Sequence, residues 1–135
     1  MRNFQMILGG CAVALLAACQ SGGEPAAPLP AAEVAAAKQQ WGGKWVGSWG
    51  DGCMGSIEVS EVTGTSAKVL YSWWNCGERP PGSQMDPGSP ISGDTLTVDA
   101  GWARVTYVMT GPNTLQANYT SRRGDARATF IRQLD

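Results

Sequence analysis

The chain has 135 residues, enough for one domain, with 10 basic and 11 acidic side chains and a formal net charge of −1. This balance provides no basic surface of the kind that binds nucleic acid, so we expect no nucleic-acid partner. The chain contains no histidine, which excludes Ser-His-Asp and Cys-His catalytic arrangements. The carboxylates are scattered rather than paired, so we expect a protein that is not an enzyme and that carries no metal or other cofactor.

The N-terminus has the pattern of a secretion signal. An apolar run over residues 4–15 is followed by Leu16-Ala17-Ala18-Cys19. The run is too short to span a membrane stably, and small residues at its end are typical of a cleavage site. These four residues resemble the bacterial lipobox, whose cysteine is lipidated and becomes the new N-terminus. The resemblance implies a signal peptide over residues 1–18 and diacylglyceryl and palmitate chains on Cys19. The alternative is a plain secretory signal with a cysteine there by chance.

The residues after Cys19 indicate in which membrane the anchored protein is expected. Cys19 is followed by Gln20 and Ser21, so the position at which an aspartate retains lipoproteins in the inner membrane holds no aspartate. We therefore expect a lipid-anchored protein of the outer membrane, on its periplasmic face, with surface exposure as the open alternative.

Residues 19–40 are rich in alanine and proline and predict a flexible tether. Within it, residues 31–40 predict a short helix, with Glu33 near its start and Lys38 near its end, as the helix dipole favours. Its simplest role is a spacer between membrane and domain. The alternative is an arm that reacts with or inserts into a partner.

Residues 41–135 predict an antiparallel all-β domain, because apolar residues recur with a period of two between closely spaced turns. A meander of this length closes into an up-and-down barrel to remove its free edges, with a two-sheet sandwich as the alternative. The barrel is expected to be monomeric. The eight predicted strands cover residues 44–49, 55–61, 67–74, 90–92, 95–99, 103–110, 115–120 and 126–134.

Cys53 and Cys76 remain as an even pair once Cys19 is set aside, and an oxidising compartment favours a disulfide between them. The hairpin turn near Gly64 lies midway between them. Cys76 is out of step with Trp73 in the strand alternation. The bridge therefore requires either a bulge near Trp73 or a position just beyond the strand pairing.

Gly43-Lys44-Trp45 is similar to the G-x-W motif that opens lipocalins, avidins and other calycin barrels, and Arg132 lies on the last strand where those barrels place an arginine over this tryptophan. The resemblance implies a calycin-like barrel whose floor is formed by Trp45 and Arg132. The segments W-V-G-S-W, A-K-V-L-Y-S-W and T-L-Q-A-N-Y also resemble small proteobacterial barrels.

A second resemblance is to the periplasmic inhibitors of serralysin-type metalloproteases. It rests on the same G-x-W, on the spacing of Cys53 and Cys76, and on residues 28–40 as an inhibitory arm. The strand Tyr71-Ser72-Trp73-Trp74 and the tail after Gly111 depart from that family.

Aromatic residues supply the candidate contacts. Trp45 and Trp49 share one strand face and are expected to point inward, while Trp41, Trp74 and Trp102 are expected at the rim or surface. Residues 77–90, rich in proline and glycine, predict a long loop that acts as a lid or partner contact, or as a rigid crossover. The inward row is predicted to comprise Trp45, Trp49, Val69, Tyr71, Trp73, Val105, Tyr107 and Tyr119. The candidate ligand or partner contacts are Trp49, Tyr71, Trp73, Trp74, Trp102, Tyr107, Tyr119, Arg79 and Met85.

The sequence thus predicts a non-enzymatic lipoprotein whose barrel binds a small apolar or amphipathic ligand or an envelope partner. A protease inhibitor and a purely structural envelope module are the alternatives. A cavity of about 300 Å³ or more favours a ligand, whereas a filled interior favours a protein partner or a structural role.

Overall fold

The computed structural model describes residues 29–134. Each strand pairs antiparallel with the next, and β8 pairs back with β1, which closes an eight-stranded barrel. The predicted up-and-down barrel is confirmed, and the two-sheet sandwich is excluded. The elements in chain order are α1 (Ala31–Trp41), β1 (Gly43–Gly50), β2 (Cys53–Ser60), β3 (Ser66–Trp74), β4 (Gly82–Ser92), β5 (Thr95–Asp99), β6 (Ala103–Gly111), β7 (Thr114–Ser121) and β8 (Gly124–Arg132).

The strands follow the predicted alternation. In β2, Ile57 and Val59 are buried while Glu58 and Ser60 are exposed. Such alternation is expected where one face of a sheet covers the core and the other faces water. All eight residues of the predicted inward row are buried in the core or line its unfilled part.

One end of the barrel is filled with side chains and is called the closed end. It carries α1 and the turns β2–β3, β4–β5 and β6–β7. Because the buried residues there form one continuous cluster, this half of the barrel has the packed interior expected of a small β-barrel. The cluster at this end includes Trp41, Trp45, Val59, Val62, Ala67, Leu96 and Leu115.

Trp41 differs from its prediction. It was expected at the rim, yet only 1% of its surface is exposed. Helix α1 runs through Trp41 and lies across the closed end, so that its last residue places the indole in the core. The carbonyl of Trp41 also accepts a hydrogen bond of 3.0 Å from Nε1 of Trp45. Within residues 29–134, no helix has the length and apolar character needed to cross a membrane.

The predicted loop over residues 77–90 is mostly strand, because β4 begins at Gly82. Strand β4 contains two prolines, and neither nitrogen lies where a hydrogen bond to β3 is needed. Pro87 lies where the pairing of β4 with β3 shifts register, so it removes no ladder hydrogen bond. The N–H of Ile91 points toward β3 and donates to Thr65, so the nitrogen of Pro90 faces the opposite side. Only residues 75–81 remain as the connection between the two strands.

The barrel is closed unevenly. Strand β8 pairs with β1 only over Phe130–Arg132 and Trp45–Gly47, and β5 pairs with β4 only through Leu96 and Thr95. Both short seams lie near the closed end. Toward the opposite end of the barrel, β8 is therefore not paired with β1, and β4 is not paired with β5. This end, called the open end, carries the turns β1–β2, β3–β4, β5–β6 and β7–β8.

Candidate ligand-binding cavity

The open half of the barrel contains a cavity of about 520 Å³. This volume lies within the range of small-molecule pockets, which spans roughly 300–1,000 Å³. The cavity is lined by β1, β2, β3, β5, β6, β7 and β8 and by the connections at the open end. Its aromatic lining, called here the aromatic wall, consists of Trp49, Tyr71, Trp73, Trp102, Tyr107, Tyr119 and Phe130.

Glycines on the inner face make room for the large rings. A methyl group at Gly55 would lie 2.6 Å from Nε1 of Trp49, and one at Gly82 would lie 2.5 Å from the ring of Trp73. Gly47 is covered in the same way by Phe130. The rings therefore lie flat along the barrel wall, because the residues beneath them have no side chain. The space toward the barrel axis is left unfilled.

The rings of the aromatic wall contact one another in an unbroken series. Phe130 has its centroid 5.5 Å from that of Trp49 and 5.4 Å from that of Tyr107. Trp49 and Trp102 lie on either side of Tyr119, at 5.8 and 6.2 Å. Edge and tilted contacts of this kind stabilise aromatic pairs and fix their orientation. The wall is therefore a preorganised apolar surface.

Arg79 lies at the entrance of the cavity. Its guanidinium carbon is 4.7 Å from the ring centroid of Trp73 and 4.5 Å from that of Trp102. Because the two rings are inclined at 78°, the guanidinium occupies the corner between them. Both contacts are within the range of cation–π attraction.

The connection that carries Arg79 is fastened on both sides. Nε1 of Trp73 donates a hydrogen bond of 3.0 Å to the carbonyl of Pro80. The N–H of Arg79 donates to the carbonyl of Cys76, which is bonded to Cys53. The predicted disulfide is thus confirmed. Cys76 lies just beyond the last β2–β3 pair, Met54 with Trp74, and Asn75 at φ 56° brings it into register.

Two phenols, Tyr71 and Tyr107, belong to the cavity lining. The hydroxyl of Tyr71 is buried and forms no hydrogen bond within residues 29–134. Burial, together with the negative charge of Asp86, raises the pKa of Tyr71. Burial also raises the pKa of Tyr107 well above its usual value. Both phenols are therefore neutral at physiological pH.

The structure brings together seven of the nine predicted contact residues, namely Trp49, Tyr71, Trp73, Trp102, Tyr107, Tyr119 and Arg79. Trp102 lies at the rim with 44% of its surface exposed. Trp74 and Met85 do not line the cavity, and a partner contact at these two residues stays a prediction. Trp74 alternates with the inward Trp73, and Met85 is opposite Leu70, so both lie on the outer face.

Sequence reasoning missed several small lining residues, including Ser56, Ala103 and Ala126. Phe130 was not among the predicted contacts either, although it lines the cavity. The alternation of β8 could have shown that Ala126 lies on the same face as Phe130. Cys19 lies outside the described residues. Within those residues, no group of three or more cysteine, aspartate or glutamate side chains is placed to hold a metal ion.

The floor of the barrel is separate from the cavity. Trp45 is fully buried, and the guanidinium carbon of Arg132 is 4.1 Å from its ring centroid. Arg132 donates to the carbonyls of Gln40 and Gly42, so it fastens the end of α1, and its Nε donates to Asn113. Burial lowers the pKa of Arg132 from its very high ordinary value.

The fold and the cavity define a closed eight-stranded β-barrel with one open, aromatic-lined end. Two solved structures are similar in fold. A redesigned β-barrel has a TM-score of 0.54 and 16% identity, over 73% of this chain and 96% of its own. A de novo designed fluorescence-activating β-barrel has a TM-score of 0.53 and 18% identity, over 72% of this chain and 97% of its own. No family model matches the chain, and no curated protein matches it.

Proposed function

We propose that this protein is a non-enzymatic, lipid-anchored binding protein whose barrel holds a small apolar or amphipathic ligand in the cavity at its open end. One observation carries the proposal, the cavity of about 520 Å³ faced by seven aromatic rings. Its volume exceeds the size of about 300 Å³ at which a binding pocket is expected. A purely structural barrel has no need to leave half of its interior unfilled, because unfilled apolar space lowers stability.

The chemistry of the lining indicates the kind of ligand. Flat indole and phenol rings offer a large apolar contact area and favour molecules with rings or unbranched chains. One of the similar barrels is described as fluorescence-activating, which supports the use of a fluorescent probe for this cavity as well.

The position of the N-terminal segment supports a membrane-anchored arrangement. Leu29, the first described residue, lies against Gly64 in the β2–β3 turn at the closed end. If Cys19 carries the anchor, the chain enters the domain at the end opposite the cavity. The cavity then opens away from the point of attachment, toward the aqueous compartment. Closure by the β1–β8 pairing also supports a barrel that acts as a monomer.

The protease-inhibitor alternative has less support. It requires residues 28–40 to act as a free arm, whereas the end of α1 is fastened by Arg132 and by the buried Trp41. An envelope protein that contacts the rim at Trp102 is the remaining alternative to a small ligand.

The proposal is tested by titrating the purified protein with N-phenylnaphthylamine, an uncharged dye that fluoresces in apolar sites. We expect saturable binding at one site with micromolar affinity, accompanied by quenching of tryptophan fluorescence from the aromatic wall. The same dye with the urea-unfolded protein is the control. Absence of saturable binding to the folded protein would remove the ligand-binding proposal.

The anchor is tested separately. Cys19→Ser is expected to move the protein from the membrane fraction to the soluble fraction, because the lipidated thiol is lost. Retention of the variant in the membrane fraction would contradict lipidation at Cys19 and leave the cavity proposal untouched.

A further inference from the structure

The cavity continues outward into a groove at the open end. The groove runs over the β5–β6 and β7–β8 turns and shares four residues with the cavity, namely Arg79, Trp102, Ala103 and Tyr119. The cavity and the groove therefore adjoin each other at the rim, where Arg79 and Trp102 belong to both.

The groove carries an excess of positive charge. Its charged lining consists of Arg79, Arg104, Arg122 and Arg123 against Glu78 and Asp99. Arg104 is already paired with Asp99, at 3.2 Å. The other three arginines form no ion pair, and their side chains donate no hydrogen bond, within the described part of the chain. The cavity itself adds one acidic residue, Asp51, in the β1–β2 turn.

Arg79 is the arginine best placed to meet a ligand, since it is the one that lines both the groove and the cavity. Its guanidinium is held by ring contacts to Trp73 and Trp102 rather than by hydrogen bonds. The five N–H donors lie in the guanidinium plane and remain free. Such a fixed, unpaired fork matches a carboxylate, sulfonate or phosphate group, which it can bind through two parallel hydrogen bonds.

We propose that the ligand of this cavity is an amphipathic anion, whose apolar body lies on the aromatic wall and whose negatively charged group is bound by Arg79 at the entrance. Arg122 and Arg123, on the β7–β8 turn, add attraction at longer range. This inference rests on the proposed function and specifies the ligand class of the same cavity.

The matched probes for this inference are N-phenylnaphthylamine and anilinonaphthalene sulfonate, which share one ring system and differ by the sulfonate. The purified protein is expected to bind the sulfonate about tenfold more tightly, because a hydrogen bond to a charged group adds this much affinity. Added salt should weaken binding of the sulfonate and leave the uncharged dye nearly unchanged.

The variant Arg79→Gln should lower affinity for the sulfonate about tenfold more than it lowers affinity for the uncharged dye. The affinity of Arg79→Lys for the sulfonate should lie between those of the unmodified protein and Arg79→Gln. Lysine keeps the positive charge but lacks the planar pair of N–H donors. Arg127→Gln is the matched control, since Arg127 is exposed on the outer face of β8 and lines neither the cavity nor the groove. It should bind both dyes as the unmodified protein does.

Displacement of the uncharged dye by laurate and by dodecanol extends the test to a second apolar body. Laurate is expected to displace it at about tenfold lower concentration than dodecanol. Equal displacement, or equal affinity for the two dyes, would overturn the anion inference while the proposed function stands. If neither dye binds, the proposed function fails and the anion inference with it. Because these comparisons use the unmodified protein, they do not depend on the folding of a variant.

Discussion

The guanidinium carbon of Arg132 lies 4.1 Å from the centre of the Trp45 ring, at the point where the last strand pairs with the first. The same guanidinium donates to the carbonyls of Gln40, Gly42 and Pro112. One side chain therefore joins the barrel closure, the helix end and the β6–β7 turn. The floor is a structural unit, distinct from the cavity above it.

Arg132→Met should lower the free energy of unfolding by about 2–4 kcal/mol, because charge-assisted hydrogen bonds and a cation–π contact are lost together. Urea denaturation followed by tryptophan fluorescence measures the change. The folded variant should still bind N-phenylnaphthylamine. Arg127→Met, on the outer face, is the control and should change stability by less than about 0.5 kcal/mol. Equal stability of the two variants would show that Arg132 does not hold the floor.

Trp41 and Trp102 provide a second contrast, because one is 1% exposed and the other 44%. Trp41→Ala should cost about 3–5 kcal/mol, the usual cost of truncating a buried tryptophan. Trp102→Ala should lower the free energy of unfolding much less than Trp41→Ala does. It should instead weaken ligand binding. Thermal melting of both variants checks this, with Trp41→Phe as a milder change if the alanine variant does not fold. A larger loss of stability at Trp102 would refute the assignment of the two roles.

The disulfide between Cys53 and Cys76, 23 residues apart, joins the start of β2 to the connection that carries Arg79. The double variant Cys53→Ser, Cys76→Ser should lose about 3 kcal/mol of stability through the greater entropy of its unfolded chain. We also expect weaker binding of anilinonaphthalene sulfonate, because Arg79 is less firmly placed. Chemical denaturation and dye titration measure the two effects. Unchanged affinity for the sulfonate would separate the disulfide from the binding site.

The buried phenol of Tyr107 predicts a dependence of stability on alkaline pH. Burial raises the pKa of Tyr107 in the folded protein, so the folded state keeps the proton that the unfolded chain loses above about pH 10. Stability contributed by the neutral phenol is complete below that pH and is lost as pH rises further. Tyr107→Phe should therefore lose less stability than the unmodified protein between about pH 10 and pH 12. Parallel pH profiles for the two proteins would contradict the prediction.

Much of the fold could be predicted because antiparallel strands with one buried face repeat every two residues. Strand β5 was predicted at its observed bounds, and its two apolar residues at alternate positions, Leu96 and Val98, are both buried. Strand β4 could not be predicted in the same way. Residues 77–90 contain four prolines and three glycines, which are typical of a loop. The strand tolerates Pro87 because of a register shift against β3 that the sequence does not display.

Most side chains of the candidate site were predicted individually, but the contacts between them were not. Alternation places Trp73 inward, yet nothing local indicates that Arg79 contacts both Trp73 and Trp102, because the contact joins separate turns. Trp41 was misplaced for a similar reason. It is the last residue of a helix in which five of eleven residues are alanine, and the weak amphipathic pattern of this helix does not indicate which side packs on the barrel.

The central claim, that the cavity is a ligand site, is tested most directly by filling it. Ala126 lines the cavity opposite Tyr119, whereas the next residue, Arg127, lies on the outer face. Ala126→Trp should lower affinity for N-phenylnaphthylamine at least about tenfold while the variant stays folded, because the indole takes the space of the dye. Arg127→Trp should bind the dye normally. Normal binding by a folded Ala126→Trp variant would contradict the assignment of this cavity as the binding site.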